Sequence, residues 1–281
     1  MTHKMDKQAQ KPILILGGTG KTGSRVAHRL TQQGISVRIG SRKGTPSFDW
    51  NDSTNWKSLL QGVKATYITY YPDLASPGAA EAIRSFAKLA VENNVRRLVL
   101  LSGRGEEEAQ RSEKALQDLG ADWTILRSSW FAQNFSESFL LDPVLKGRLA
   151  LPVDGVKEPF IDVEDIADVA AAVLTDNRHI GQIYELSGPR ALTFAEAIEE
   201  IVKISGRKVH YTSISTEQFI SELRQQGAPQ DMILLMTELF TNVLDGRNSH
   251  VVSGVQHVLG RKASDFSDYA TKAAATGVWD A

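Results

Sequence analysis

Apolar positions along this chain come in two patterns: short uninterrupted runs, and longer stretches in which they recur every three or four residues. Ile13-Leu14-Ile15-Leu16 is a run of the first kind. Bounded by glycine, it reads as a strand buried on both faces. The second pattern follows at once, with Val26, Ala27 and Leu30 on one helical face between Ser24 and Gln33 and Gly34 placed to cap the helix. Strand-like segments then appear at 35–39, 65–70, 97–101 and 123–126, with a short extra strand ending at Asp49-Trp50. Between them lie a helix with Ile83, Phe86, Ala87 and Ala90 on one face and another that ends at Gly120. Strands alternating with helices predict an α/β fold, a doubly wound parallel sheet over residues 11–140. Right-handed crossovers place all strand C-termini on one edge, which gathers residues 17–23, 40–43, 70–72, 102–105 and 127–134.

Beyond residue 140 the pattern changes. Gly147, Pro152, Gly155 and Pro159 interrupt the chain before a helix carrying Ile166, Val169, Ala170 and Val173. Thr193-x-x-Glu196 predicts a capping box, Ser215-x-x-Gln218 a further helix start, and Phe266, Tyr269, Ala270 and Ala273 a last helix. Residues 141–281 therefore read as a smaller, mostly helical substrate-side region whose strands are free to return to the main sheet. Residues 232–236 with Leu239 and Phe240 are apolar over more than one face, which suits a core helix first and a cover for a pocket second. Residues 1–10 are polar and read as a frayed tail.

Composition narrows the function classes. The 281 residues are 42% hydrophobic and 23% charged, with a net charge of -1 and no cysteine. No apolar run approaches a membrane span, no basic stripe points to nucleic acid, and no thiol chemistry is available. The expected location is the cytoplasm and the expected partner a small-molecule substrate. The histidines show no metal-binding spacing, so no metal is assigned.

The candidate chemistry begins at Gly17-Gly18-Thr19-Gly20-Lys21-Thr22-Gly23, where a strand feeds a G-x-x-G-x-x-G turn into a helix. Gly17 turns the chain, Gly20 lets backbone N–H groups approach a phosphate, Gly23 lets helix and sheet pack closely, and the helix N-terminus faces the anion. The pattern reads as the dinucleotide turn of a Rossmann sheet, against the alternative of a tight strand-to-helix turn with no ligand. A nucleoside triphosphatase loop fails on spacing, because Ile15 stands where its first glycine is required. At the end of the second strand, where an NAD site offers a carboxylate, this chain has Ser41-Arg42-Lys43. A hydroxyl, a guanidinium and an ammonium suit a 2′-phosphate, so NADP(H) is the expected cofactor, against the alternative of a solvated basic turn. Asp49 and Trp50 are placed to meet the adenine, or else form a surface turn with the indole packed inward.

With these motifs, Phe48-Asp49-Trp50, Leu101-Ser102-Gly103, Trp123-Thr124-Ile125-Leu126-Arg127, Trp130-Phe131-x-x-Asn134 and Pro159-Phe160-Ile161-Asp162-Val163-x-Asp165-Ile166-Ala167 in order, the chain resembles the NmrA-like atypical short-chain dehydrogenases over residues 11–280. The glycine turn with Arg25 is most similar to the festuclavine synthase branch and its bacterial relatives, then to a quinone reductase branch. The resemblance implies NADP(H) binding through Gly17, Gly20, Gly23, Arg42 and the loops after later strands. That family holds both hydride-transfer enzymes and regulators that bind the dinucleotide without turning it over.

None of the six tyrosines is followed four residues later by lysine, so the Tyr-x-x-x-Lys acid of ordinary short-chain dehydrogenases is missing. The lysine of isoflavone-reductase-type relatives aligns with Ala109, so it is missing too. Hydride addition to an iminium needs no proton, and a quinone takes its proton from water. The expected activity is accordingly NADPH-dependent hydride transfer to an iminium, quinone or activated alkene. The alternative is a non-catalytic NADP(H) sensor acting through a protein partner. The nucleotide site is assigned to Gly17, Thr19, Gly20, Lys21, Thr22, Gly23, Ser41, Arg42, Lys43, Asp49, Trp50, Tyr70, Tyr71, Pro72, Ser102 and Gly103. Tyr71, Arg104, Trp130 and Asn134 are assigned to a substrate pocket, against plainer roles as strand-end aromatics, core and loop support.

Overall fold

In chain order the elements are β1 (Ile13–Leu16), α1 (Lys21–Gln32), β2 (Val37–Gly40), α2 (Trp56–Leu60), β3 (Ala65–Ile68), α3 (Ala79–Glu92), β4 (Arg97–Gly103), α4 (Glu107–Gln117), β5 (Asp122–Ser128), α5 (Asn134–Glu137), α6 (Leu141–Leu145), β6 (Arg148–Leu151), α7 (Val163–Thr175), β7 (Gln182–Leu186), α8 (Phe194–Ser205), β8 (His210–Ser213), α9 (Thr216–Gln225), α10 (Gln230–Glu238), α11 (Gly254–Leu259) and α12 (Phe266–Ala275). The computed structural model describes residues 11–280, so the stretch read as a tail lies outside the described residues. Six strands form one sheet in the order β2-β1-β3-β4-β5-β7, with β1 parallel to β2 and β3, and β3 parallel to β4. The doubly wound sheet is thus present, and β7 is a late strand that returns to it. No helix among the described residues is long and apolar enough to cross a membrane.

The chain divides into two compact units. The first comprises the described residues up to Ser102, Glu108–Ile125 and Ala170–Ile183, and the second Gly103–Glu107, Leu126–Val169 and the residues from Tyr184 onward.

In the first unit every residue of β1 and β3 is buried, as an apolar run covered on both faces requires. Its core joins Leu14, Leu16, Ile68, Ile83, Phe86 and Leu100 with Phe48 and Trp56. Arg97 is buried with its guanidinium donating to the carbonyls of Asp122 (2.8 Å) and Val173, so its planar fork joins two carbonyls of this unit. The strand expected to start at Ile35 starts at Val37, because Gly34 takes φ +73°, its N–H donates to Thr31 O (2.9 Å), and the Ile35 N–H closes the α1 terminus on Leu30 O (3.0 Å). The short strand expected at Asp49-Trp50 does not form. That segment is a turn with a single antiparallel bridge from Asp49 to Asp52, because the Phe48 N–H is engaged by Ser41 O (2.9 Å) and the Phe48, Trp50, Trp56 and Phe86 rings pack on one another.

The second unit has its own core of Phe135, Phe160, Phe194, Phe240, Phe266 and Trp279, whose indole N–H donates to Phe135 O (3.0 Å). Beside it β6 and β8 pair in parallel from Arg148 opposite His210 to Leu151 opposite Ser213. That pair was not legible beforehand, because β8 is four largely exposed residues with no apolar alternation. The buried residues of α10 are Ile233 and Met236, and a π-helical turn, Leu239–Val243, follows with Phe240 and Val243 buried. This is the core role expected of that segment, and Leu234 faces outward from it.

The capping box is formed: Thr193 Oγ1 accepts from Glu196 N (3.1 Å) and the Glu196 carboxylate accepts from Thr193 N (2.7 Å). The backbone hydrogen bond from Thr193 holds the Glu196 carboxyl below its ordinary range. Thr193→Ala removes one of the two bonds and is expected to cost about 1 kcal/mol. A thermal melt should read this as a drop of roughly 2–4 °C for a chain of this size. An unchanged melting temperature would show that the rest of the α8 packing carries that terminus.

Candidate functional site

In the first unit the glycine turn builds a concave backbone surface at the C-terminal end of β1. Gly17 takes φ +63°, and the Gly20 N–H closes the turn on Gly17 O (2.8 Å). A Cβ on Gly17 would lie 2.4 Å from Thr69 Oγ1, the hydroxyl that donates to Leu16 O (3.1 Å). A Cβ on Gly18 would lie 2.9 Å from Ile39, and one on Gly23 2.3 Å from Gly17 O. Helix α1 then starts with Gly20 as its N-cap, with no side-chain cap and no acidic residue in its first turn. Its first N–H groups therefore lack the side-chain oxygen that ordinarily satisfies them, and the positive end of the helix is not neutralised from within. Such a terminus fits a phosphate. Thr19 and Gly20 are exposed, Lys21 is half-buried, and Thr22 and Gly23 are buried behind them.

Arg42 is exposed beyond the end of β2, with its guanidinium carbon 4.8 Å from the centre of the Tyr71 ring. An aromatic face under a guanidinium limits its rotamers while leaving its N–H edge free to meet an anion. Lys43 beside it is exposed, and Ser41 is half-buried with its carbonyl accepting from Gly44 and Phe48. Trp50 is half-buried and donates its indole N–H to Thr69 O (3.1 Å), with its ring 5.0 Å from that of Tyr70. The Asp49 carboxylate accepts from Asn51 N (2.9 Å) and its carbonyl accepts from the Trp56 indole (2.9 Å). Burial, and then the Glu81 carboxylate, hold the Tyr70 phenol above its ordinary range, so it stays protonated as a donor. Tyr71 and Pro72 are exposed.

Ser102, near the end of β4, is buried and donates to Glu113 Oε1 across 2.6 Å. Glu113 escaped the sequence reading. Its signal was helical spacing: Ala109, Ser112, Glu113 and Leu116 share the buried stripe of α4, so this carboxylate had to point inward.

The remaining candidates lie in the second unit. Gly103 is half-buried, and a Cβ there would collide with the Glu106 carboxylate. Trp130 is half-buried against Phe240 (4.9 Å) and Phe194 (6.0 Å), and Asn134 is half-buried at the start of α5 with its N–H on Phe131 O (3.1 Å). Arg104 is buried rather than exposed to a pocket, with only 3% of its surface accessible. Its neighbours include Glu158, a residue the sequence reading did not single out. That carboxyl is buried, accepts from Trp130 N (3.2 Å), and is pushed up to about 7, chiefly by burial and against the Trp130 N–H, Arg104 and Ser129. No local pattern announces it, since it follows a turn rather than a periodic segment.

The NmrA-like family model matches residues 110–272. The chain is 33% identical to the uncharacterized oxidoreductase YesF of Bacillus subtilis (strain 168), across 96% of this chain and 98% of that one. It is 28% identical to the agroclavine dehydrogenase of Claviceps fusiformis, across 92% of this chain and 95% of that one. Among solved structures it superposes on the NADPH-dependent quinone oxidoreductase QOR2 of Escherichia coli, complexed with NADPH, with a TM-score of 0.74 at 23% identity, covering 92% of this chain and 99% of that one.

Proposed function

Because the chain belongs to the NmrA-like family, we propose that it is an oxidoreductase that binds NADP(H) on its first unit and reduces a small organic acceptor: an iminium, a quinone or an activated alkene. The observation that carries this reading is the uncapped α1 N-terminus behind a glycine cradle, with exposed Arg42 at the end of β2. The cradle is closed to any side chain at Gly17, Gly18 and Gly23, so its inner surface is backbone, the surface a pyrophosphate needs. Arg42 and Lys43 would meet the 2′-phosphate with Ser41, and Trp50, Tyr70, Tyr71 and Pro72 would flank the nucleoside. Relatives named as an oxidoreductase and an agroclavine dehydrogenase support the reaction class.

NADPH, when bound, supplies the hydride. The residues of the chain bind and orient. In this reading the Ser102 hydroxyl, whose proton is directed to Glu113, does not serve to protonate a carbonyl, which suits an acceptor that needs no proton from the chain. Trp130, Asn134 and Arg104 belong to the substrate-side unit. The test is NADPH consumption with one iminium, one quinone and one simple ketone. Turnover of either of the first two, with the ketone inert, is the expected result. Rapid ketone reduction would overturn the acceptor class, and tight NADPH binding with no turnover of any acceptor would overturn the enzymatic reading.

A further inference from the structure

In the first unit a buried phenol lacks a hydrogen-bond partner. Tyr67 lies within β3, opposite Ile15 of β1 and Val99 of β4, and none of its surface is accessible. Leu14, Leu16, Ile68, Leu98 and Leu100 turn into the core described above, and successive residues of a strand face opposite ways, so the Tyr67 ring leaves the sheet on the other face. That face carries the start of α1, because the Thr22 side chain is the polar group that acts on the phenol. The contact does not reach hydrogen-bond geometry, and no other group among the described residues accepts from Tyr67 Oη. Thr22 is the second residue of α1 and keeps 6% of its surface accessible.

A hydroxyl sealed from water without a partner destabilises the fold that holds it, and a phenylalanine would fill the same space without that penalty. We infer that Tyr67 is a positioning residue of the dinucleotide site, its phenol donating to the Thr22 hydroxyl when a phosphate lies on the first turn of α1. This role rests on the assignment of NADP(H) to that turn. A threonine hydroxyl carries one proton and two lone pairs, so accepting from Tyr67 leaves its own proton for the anion and polarises the O–H that meets it. Helix α1 begins with no side-chain cap and no acidic residue in its first turn, so its N–H groups and the hydroxyl beside them are what the anion meets. The anion draws Thr22 into a chain of two bonds, from Tyr67 to Thr22 and from Thr22 to the phosphate. The hydroxyl that destabilises the free fold is thereby satisfied in the complex. Burial holds the phenol far above its ordinary range, and Thr22 offsets this only in part, so Tyr67 stays a protonated donor.

The test sets stability against affinity in the full chain. Tyr67→Phe removes one oxygen and keeps the ring, so the free protein should melt at the same temperature or higher, while NADPH binds about three- to tenfold more weakly by calorimetric titration. NADH should lose as much as NADPH, since the two share the pyrophosphate, whereas a change at Arg42 separates them. Thr22→Val should weaken both dinucleotides by about tenfold or more, and Tyr67→Phe added to it should cost nothing further. Thr22→Ser keeps the hydroxyl and should keep the sensitivity to Tyr67→Phe. Unchanged affinity in Tyr67→Phe, or losses that add fully in the Thr22→Val background, would overturn the relay. So would a Tyr67→Phe protein that melts lower and binds more weakly together, because the phenol would then only support the sheet. No binding of either dinucleotide by the unmodified protein would instead overturn the cofactor assignment, and the relay with it.

Discussion

Arg42→Ala is expected to weaken NADPH binding by about 10- to 100-fold while changing NADH binding little, the loss of hydrogen bonds to one charged group. The two dinucleotides differ only at the 2′ position, so the ratio of their affinities isolates what the guanidinium does there. Arg42 is exposed yet held over the Tyr71 ring at 4.8 Å, which lowers the entropy cost of aiming it. Lys43→Ala should do less, because an exposed ammonium is a flexible, strongly hydrated point charge. Arg42→Asp should do more, since a carboxylate there repels the 2′-phosphate and can accept from a ribose hydroxyl. Calorimetric titration of each variant with NADPH, NADP+, NADH and NAD+ checks the set. Equal losses for all four ligands would place Arg42 in general support of the loop rather than in cofactor choice.

Gly23→Ala should be strongly damaging to both stability and dinucleotide binding. The added Cβ would stand 2.3 Å from Gly17 O, 2.7 Å from Gly17 C and 3.0 Å from Gly18 Cα, all backbone atoms of the turn itself. No side chain is available to rotate away, so either α1 moves off β1 or the turn opens. The expected cost is about 3 kcal/mol, the upper part of the overpacking range. That corresponds to a melting temperature roughly 6–12 °C lower. Dinucleotide binding should be lost with it, because the same shift misaligns the first N–H groups of the helix. Gly20→Ala is the control: its Cβ would meet Gly17 O at 3.2 Å, a contact a small adjustment relieves, so stability should change far less. A Gly23→Ala protein that melts and binds like the unmodified one would mean that this turn is softer than its geometry implies.

These two positions were also the most legible in the sequence. Buried strands such as β1 and β3 announce themselves by uninterrupted apolar runs, and the helices by a recurring face, because each pattern follows from which sides of an element water cannot reach. Legibility fell where a segment's conformation depends on distant partners. Asp49-Trp50 has strand-like composition, but the aromatic rings around Phe48 and Phe86 make it a turn, and nothing local encodes that packing. Strand β8 has a polar sequence and exists because β6 pairs with it. Arg104 read as a group for substrate, yet Ser129, Asn248 and His250 enclose it, and the last two lie more than a hundred positions away in the chain.

By itself the sequence determined the order of strands and helices, the glycine turn and the basic end of the second strand, since glycine's freedom, helical periodicity and charge are properties of residues and their near neighbours. Only the tertiary structure decided which polar groups are sealed from water. Glu113 beneath Ser102 and Glu158 beside Arg104 owe their chemistry to burial, and burial is a property of the packed whole: a carboxyl's desolvation is set by every element that closes over it.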